Sequence, residues 1–169
     1  MGQETYLTNE IEILVEGFFT SHHYLTTPAG ELGEVTARSG SATFTAADSR
    51  EFEIQRTSFW RGWYELRQNG IVIGGAVPEG FWRRTFQLGY RGLEGYVLEP
   101  TSVWNRSWRL VDPSGTALLD LEPRGVFKRG ARVAVLGEVD LELLAFTYYL
   151  VNVRWQEQHA AASAAASGS

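Results

Sequence analysis

The fold is decided near the C-terminus by the stretch LELLAFTYYLVNVRW, residues 141–155, which contains no glycine and no proline. Eleven of its fifteen residues are apolar. At the 100° rotation per residue of an α-helix, the four polar residues do not collect on one face: Glu142, Thr147, Asn152 and Arg154. A helix over this stretch is therefore apolar nearly all round, and the rest of the protein must surround it.

Residues 141–155 favour a helix over two alternatives, a strand of a sheet and a transmembrane span. Thr, Tyr and Val favour sheets, but about 15 uninterrupted residues are long for a strand. A bilayer needs roughly 20 apolar residues, and this stretch is shorter and contains Glu142 and Asn152. Asp140 is the predicted N-cap, and we expect a central helix over about residues 140–157.

Most of the chain before this helix is typical of short strands separated by turns. Residues 10–16 alternate between polar and apolar types, as a half-buried strand does. Asn69-Gly70 lies between two such stretches and predicts a hairpin, because a type I′ turn needs positive φ at both central residues. Pro28-Ala29-Gly30 and Pro113-Ser114-Gly115 predict two further hairpins.

These three hairpins resemble one another, since each runs from an aromatic residue through a strand and a glycine-containing turn into a second strand. They begin at Tyr24, Tyr64 and Trp108, which are 40 and 44 residues apart. One hairpin per repeat is too few strands for a propeller blade. A closed antiparallel barrel fits better, because it has no free edge and its lumen can hold an apolar helix.

Repeated hairpins followed by one hydrophobic C-terminal helix resemble the tubby C-terminal-like barrel superfamily, in particular its LURP-one-related and phospholipid-scramblase-like branch. The resemblance covers roughly residues 5–158 and is carried by Tyr64-Glu65-Leu66, by Trp108-Arg109-Leu110 and by residues 141–155. It implies a mostly β fold, a closed antiparallel β-barrel of roughly twelve strands enclosing the C-terminal hydrophobic α-helix. It also implies lipid association in some members, and no established catalysis in most.

No functional residue carries over from that superfamily. The basic constellation of the tubby phosphoinositide site has no counterpart here, and Lys128 is the only lysine. The cysteine-rich segment and the acidic calcium-site segment of the scramblases have no counterpart either, so we do not expect lipid scrambling.

Composition describes one globular domain and excludes several classes of function. The 169 residues are 44% apolar and 13% aromatic, and the absence of cysteine excludes thiol catalysis, thiolate zinc sites and disulfides. A net charge of −5 argues against nucleic acid as a partner, because phosphate binding needs an excess of cations. We predict one domain over residues 1–158 and a disordered low-complexity tail over residues 159–169. We also predict a cytoplasmic protein with no targeting segment and no transmembrane span.

Charge and aromatic residues are unevenly used along the chain. Residues 1–55 hold nine acidic residues and two cations, whereas residues 56–169 hold eleven acidic residues and thirteen cations. Such asymmetry is typical of ordinary solvated faces or of a partner surface.

We expect most of the six tryptophans in the core, between helix and strands, with Trp60 and Trp82 as the candidates for exposure.

No constellation typical of an enzyme is present. His22 and His23 are adjacent and point to opposite faces of a strand, which prevents a shared metal site, and His159 lies in the tail. The chain has no Gly-x-Ser-x-Gly motif and no glycine-rich loop followed by Gly-Lys-Ser/Thr. We therefore predict no catalytic residue, no metal site and no cofactor.

The best candidate binding site is a basic segment with one aromatic residue. Arg124, Lys128, Arg129 and Arg132 surround Phe127. Each cation near an anionic membrane surface contributes about 1 kcal/mol, and Phe127 would insert at the interface.

Arg83 and Arg84, which follow Phe81-Trp82, form a second basic cluster. The alternative for both clusters is that the arginines pair with neighbouring glutamates and are merely solvated.

The function predicted from the sequence is a non-catalytic binding or scaffold module for an anionic phospholipid surface or a protein partner. One alternative is a small-molecule-binding or enzymatic barrel with its ligand in the lumen, which requires residues 141–155 to be a strand of the wall. Another is a subunit of a larger assembly that uses the acidic N-terminal third. The sequence does not determine the oligomeric state.

Overall fold

The computed structural model describes residues 9–17, 19–58, 61–80, 84–104, 106–125 and 128–168. Within these residues the chain forms twelve strands and one helix. In chain order they are β1 (Glu10–Glu16), β2 (Ser21–Thr27), β3 (Gly30–Arg38), β4 (Ser41–Ala46), β5 (Glu51–Ser58), β6 (Trp63–Gln68), β7 (Ile71–Glu79), β8 (Thr85–Tyr90), β9 (Leu93–Pro100), β10 (Trp108–Val111), β11 (Ala117–Pro123), β12 (Gly130–Val135) and α1 (Leu141–Ser167).

The strands close into a barrel in which each one pairs antiparallel with the next along the chain. β1 pairs with β12 to complete the ring, and Glu12 lies opposite Arg132 in that pair. Closure leaves no strand edge free. The predicted fold class, a mostly β closed barrel of roughly twelve strands around a C-terminal helix, is confirmed.

α1 fills the lumen of the barrel, as its all-round apolar surface predicts. Ten consecutive residues, from Glu142 to Val151, are buried. Inward-facing residues of the wall pack against them, and strands such as β4 alternate strictly between buried and half-buried positions. The helix is therefore the core around which the sheet closes.

The hairpin predicted at Asn69-Gly70 connects β6 and β7, and both residues have positive φ, 51° and 77°. Two tryptophans, Trp108 and Trp155, are buried in the core, as expected. Trp63 and Trp104 are exposed instead, while Trp60 and Trp82 lie outside the described residues.

The start of α1 is held by side chains of the wall. Asp140 is at the N-cap position but makes no side-chain capping bond; its carboxylate accepts a hydrogen bond from the Tyr90 hydroxyl at 2.6 Å. The buried carboxylate of Glu142 accepts from Arg91 at 2.6 Å and lies 3.5 Å from Arg50. Burial by itself raises the pKa of the Glu142 carboxyl, but the hydrogen bonds from Arg91 and Tyr90 outweigh it, so the pKa is lowered.

The end of α1 lies further along the chain than the sequence predicted. The helix continues to Ser167, so that residues 159–167, for which we predicted disorder, are helical and exposed. Alanine has the highest helix propensity, and adding residues to an existing helix avoids the cost of nucleation. In the described part of the chain, no helix is both long and apolar enough to cross a membrane.

The barrel has two different ends, because the strands alternate in direction. At the helix-start end lie the connections that follow β2, β4, β6, β8, β10 and β12. At the helix-exit end lie the connections that follow β1, β3, β5, β7, β9 and β11, and here α1 leaves the lumen. Residues 156–167 extend about 18 Å at 1.5 Å per residue.

Candidate functional site

The predicted basic residues fall into two groups in the structure. Lys128 and Arg129 lie at the helix-exit end, in the connection between β11 and β12, and both are exposed. Arg84 is also exposed at this end, but β9 and β10 separate its connection from theirs. Phe127 and Arg83 lie outside the described residues.

Arg124 and Arg132 both lie beside acidic residues of neighbouring strands. The Arg124 side chain is 23% exposed, and its Nη2 lies 3.7 Å from the Glu12 carboxylate. Arg132 is on the outer wall of β12, opposite Glu12 on one side and Glu122 on the other. Both residues therefore have an acidic neighbour on an adjacent strand.

Two further cations at this end did not stand out in the sequence. Arg61 is exposed in the connection between β5 and β6, and its guanidinium lies 5.0 Å from the centre of the Trp63 ring. Arg106 is exposed in the connection between β9 and β10. Neither residue belongs to a basic run in the sequence. Only the order of the strands around the barrel could have predicted that both lie at this end.

The sequences of the connections differ sharply between the two ends. The six at the helix-exit end contain seven Lys or Arg residues, eight aromatic residues and no Asp or Glu: residues 17–20, 39–40, 59–62, 80–84, 101–107 and 124–129. The six at the helix-start end contain four acidic residues, two arginines and no aromatic residue: residues 28–29, 47–50, 69–70, 91–92, 112–116 and 136–140. In the sequence, positive charge and aromatic residues are therefore concentrated in the same six connections, and Phe19 and Trp104 are the described aromatic residues among them.

Apolar side chains at the helix-exit end are exposed to an unusual degree. Phe19 is fully exposed, and Trp104 is 80% exposed. Val103, beside Trp104, is 88% exposed. Exposed apolar side chains among cations are typical of surfaces that contact a membrane interface or a partner.

The connection that carries Trp104 is attached to the helix. The indole Nε1 of Trp155 donates a hydrogen bond to the backbone carbonyl of Arg106 at 3.1 Å. Arg129 makes a comparable attachment across the end, because its Nη1 donates to the Gly17 carbonyl at 2.5 Å. These bonds attach Arg106 to α1 and Arg129 to the connection between β1 and β2.

A buried polar chain lies just inside this end. His23 is 1% exposed, with Nε2 at 2.8 Å from Ser21 Oγ and Nδ1 at 2.6 Å from the Tyr148 hydroxyl. Burial lowers the pKa of His23 to about 4, and the positive charge of Arg129 adds to the effect. His23 is therefore neutral at physiological pH. His22 points outward and contacts Glu34, which confirms that the two histidines face opposite sides of β2.

The Ser21 and His23 pair has the spacing of a nucleophile and its base, but not the required tautomer. Among the described residues, the buried Tyr148 hydroxyl has only His23 Nδ1 as a partner, so Tyr148 donates to it. His23 then carries its proton on Nε2 and donates to Ser21 Oγ. A histidine in this state cannot take the serine proton, so the arrangement favours a structural network.

A notch of about 800 Å³ opens at the helix-exit end between α1 and the connections that follow β9 and β11. Its described lining includes no acidic residue and combines cations with indole rings and amides. The described residues contain no group of three His, Asp or Glu side chains that could hold a metal ion.

Comparison with known proteins supports the fold alone. No protein-family model matches the chain, and no curated protein matches it. The chain is similar in structure to a protein from Arabidopsis thaliana, AT5G01750, solved by X-ray diffraction, with a TM-score of 0.59. The match covers 86% of this chain and 89% of that one, at 12% sequence identity. It is consistent with the resemblance inferred from the sequence at the level of architecture.

Proposed function

We propose that the protein is a non-catalytic binding module whose helix-exit end docks on anionic phospholipid surfaces. The observation that supports this most strongly is that the six connections of that end contain cations and aromatic residues and no acidic residue. The cations of these connections attract an anionic surface although the whole chain carries a net charge of −5, and the exposed acids Glu16 and Glu79 lie beside them as the last residues of β1 and β7. The cytoplasmic leaflet, which is rich in anionic lipid, is the corresponding surface in the cell.

Electrostatic attraction and apolar insertion act together in this proposal. Five described cations are exposed in the connections of the helix-exit end, and each contributes about 1 kcal/mol near an anionic surface: Arg61, Arg84, Arg106, Lys128 and Arg129. Phe19 and Trp104 then enter the interfacial region, where aromatic rings are favoured. Because α1 projects from the same end, the barrel meets the surface tilted, with its axis away from the membrane normal.

For the family, we propose the tubby C-terminal-like barrel superfamily and, within it, the LURP-one-related branch. The closed twelve-stranded barrel, the helix in its lumen and the structural similarity to the Arabidopsis protein support the assignment.

The alternative with a ligand in the lumen has no support in the geometry. It requires a wall strand over residues 141–155, and these residues form the helix that occupies the lumen. The space that the ligand would need is filled by side chains such as Phe146 and Tyr148, which are almost fully buried.

Vesicle co-sedimentation tests the proposed function. We expect the protein to sediment with vesicles that contain phosphatidylserine and not with pure phosphatidylcholine, and high salt should release it, because salt screens exposed charges. Absence of binding to phosphatidylserine vesicles at low salt would refute the proposal.

Two triple variants with the same net charge locate the contact. Replacing Arg84, Arg106 and Lys128 by glutamine removes three exposed cations from the helix-exit end and should lower vesicle binding at least tenfold, since each contributes about 1 kcal/mol.

The control variant replaces Arg67, Arg109 and Arg132 on the outer wall by glutamine. It changes the net charge equally and should bind vesicles as the unmodified protein does. Equal losses in both variants would show that overall charge, and not the helix-exit end, drives binding.

A further inference from the structure

The notch beside α1 at the helix-exit end has the chemistry of a small-molecule site. Its volume of about 800 Å³ is within the usual range of ligand pockets. It lies at the mouth of the lumen, where the buried His23 is part of its lining, between the helix and two connections that come from different parts of the chain. The lining combines cations, indole rings and amide side chains, and each kind of group favours a different part of a ligand.

Positive charge in the notch selects an anionic group. Arg106 enters from the connection after β9, and Lys128 and Arg129 enter from the connection after β11. The described lining contains no carboxylate to neutralise them. Glu157, on the adjacent turn of α1, is engaged by Arg154 at 2.9 Å. A phosphate group, with up to two negative charges and three acceptor oxygens, fits this set of donors.

The indole rings in the notch favour a ligand that contains a flat aromatic ring. Trp104 leaves 80% of its surface exposed beside the cations, although an indole normally buries its faces. The ring of Trp155 forms part of the opposite wall, and its Nε1 is already used by the Arg106 carbonyl. An aromatic ring of the ligand can cover Trp104 by stacking.

Amide side chains of α1 complete the lining. Asn152, Gln156 and Gln158 offer both donors and acceptors on the helix side of the notch. These groups match the polar edge of a heteroaromatic ring better than they match a hydrocarbon.

We propose that the notch binds a mononucleotide-like ligand, a hydrogen-bonding planar ring that carries a phosphate. The ring stacks on Trp104, its edge meets the amides of α1, and the phosphate lies among Arg106, Lys128 and Arg129. This site goes beyond membrane docking: it shares Trp104, Arg106, Lys128 and Arg129 with the proposed membrane contact, but ligand binding to it needs no membrane.

Isothermal titration calorimetry of the full chain with AMP, adenosine and inorganic phosphate tests the proposal without any membrane. We expect AMP to bind at least tenfold more tightly than either adenosine or phosphate. AMP binding that is undetectable, or no tighter than phosphate binding, would overturn the proposal.

Variants separate the two halves of the site. Trp104→Leu should weaken AMP binding at least fivefold and leave phosphate binding unchanged. The double variant R106Q and K128Q should weaken both. The matched double variant R61Q and R84Q removes two exposed cations from the same end but outside the notch, and should leave AMP binding unchanged.

Equal weakening of AMP binding in the two double variants would place the ligand elsewhere and overturn the inference. Vesicle co-sedimentation of the unmodified protein is read separately. Vesicle binding without AMP binding would refute the nucleotide site alone, and AMP binding without vesicle binding would refute the docking function alone.

Discussion

The protonation state of His23 depends on the groups that bury it. It is enclosed between Ser21 and Tyr148, and both of its ring nitrogens are within hydrogen-bond distance of a partner. Burial opposes its protonation, and Arg129 and His22 oppose it further. The sequence predicted that the two adjacent histidines would face opposite sides of the strand, but not that His23 would have a partner on the central helix.

His23 makes stability depend on pH in a defined direction. Its pKa is about 4 in the folded protein and 6.5 when unperturbed. As pH falls below 6.5, His23 is protonated in the unfolded chain but stays neutral in the folded protein. The free energy of unfolding therefore decreases until pH reaches about 4. The total decrease is about 3 kcal/mol, since one pKa unit corresponds to about 1.4 kcal/mol.

Urea unfolding at pH 7 and pH 4.5 measures this effect. The loss of stability attributable to the buried histidine should disappear in His23→Gln and persist in His22→Gln, whose side chain is on the outer face. An unchanged pH dependence in His23→Gln would contradict the assignment.

At the scale of elements, α1 is positioned by an ion pair whose carboxylate is buried. The Glu142 side chain is 3% exposed, and Arg91, from the connection between β8 and β9, donates to it at 2.6 Å. Arg109 and Asp120 form a similar pair on the outer wall at 2.7 Å, but there the carboxylate side chain is 31% exposed. The two arginines are comparably exposed, so the pairs differ mainly in the burial of the acid.

We expect Arg91→Gln to lower the free energy of unfolding by about 3 kcal/mol, because it leaves a buried carboxylate without its closest cation. Arg109→Gln should cost less than about 1 kcal/mol, because water solvates Asp120 when the arginine is gone. Urea denaturation of both variants gives the comparison. Similar losses would mean that Glu142 is not the anchor of the helix.

At the scale of the whole molecule, the exposed part of α1 and the basic connections lie at the same end. Residues 156–168 are exposed, and residues 158–168 contain no Lys, Arg, Asp or Glu. If the barrel docks as proposed, the projecting helix keeps it from standing upright on a flat membrane, and Glu157 is the one Lys, Arg, Asp or Glu residue that residues 156–168 bring to the contact.

A chain that ends at Gln158 should therefore keep its thermal melting temperature and bind phosphatidylserine vesicles at least as well as the full chain. Melting followed by circular dichroism, with co-sedimentation of the same sample, measures both. Loss of vesicle binding with an unchanged melt would assign the contact to the tail.

The sequence by itself determined the closed barrel and its central helix, and the reason lies in residues 141–155. A helix that is apolar all round must be enclosed, and repeated hairpins supply a wall that can close. The extent of the helix was not determined in the same way, because the alanine-rich tail has no apolar pattern and its helicity depends on the helix that precedes it.

Only the tertiary structure decided where the charges meet. Arg61, Arg84, Arg106 and Lys128 are far apart in the chain, and alternating strands bring their connections to one end. The same closure placed Arg124 and Arg132 beside Glu12, so two residues of the predicted basic cluster have an acidic neighbour that the local sequence does not contain. Local sequence patterns determine which face of a strand is buried, whereas the neighbours of a side chain depend on the pairing of strands distant in sequence.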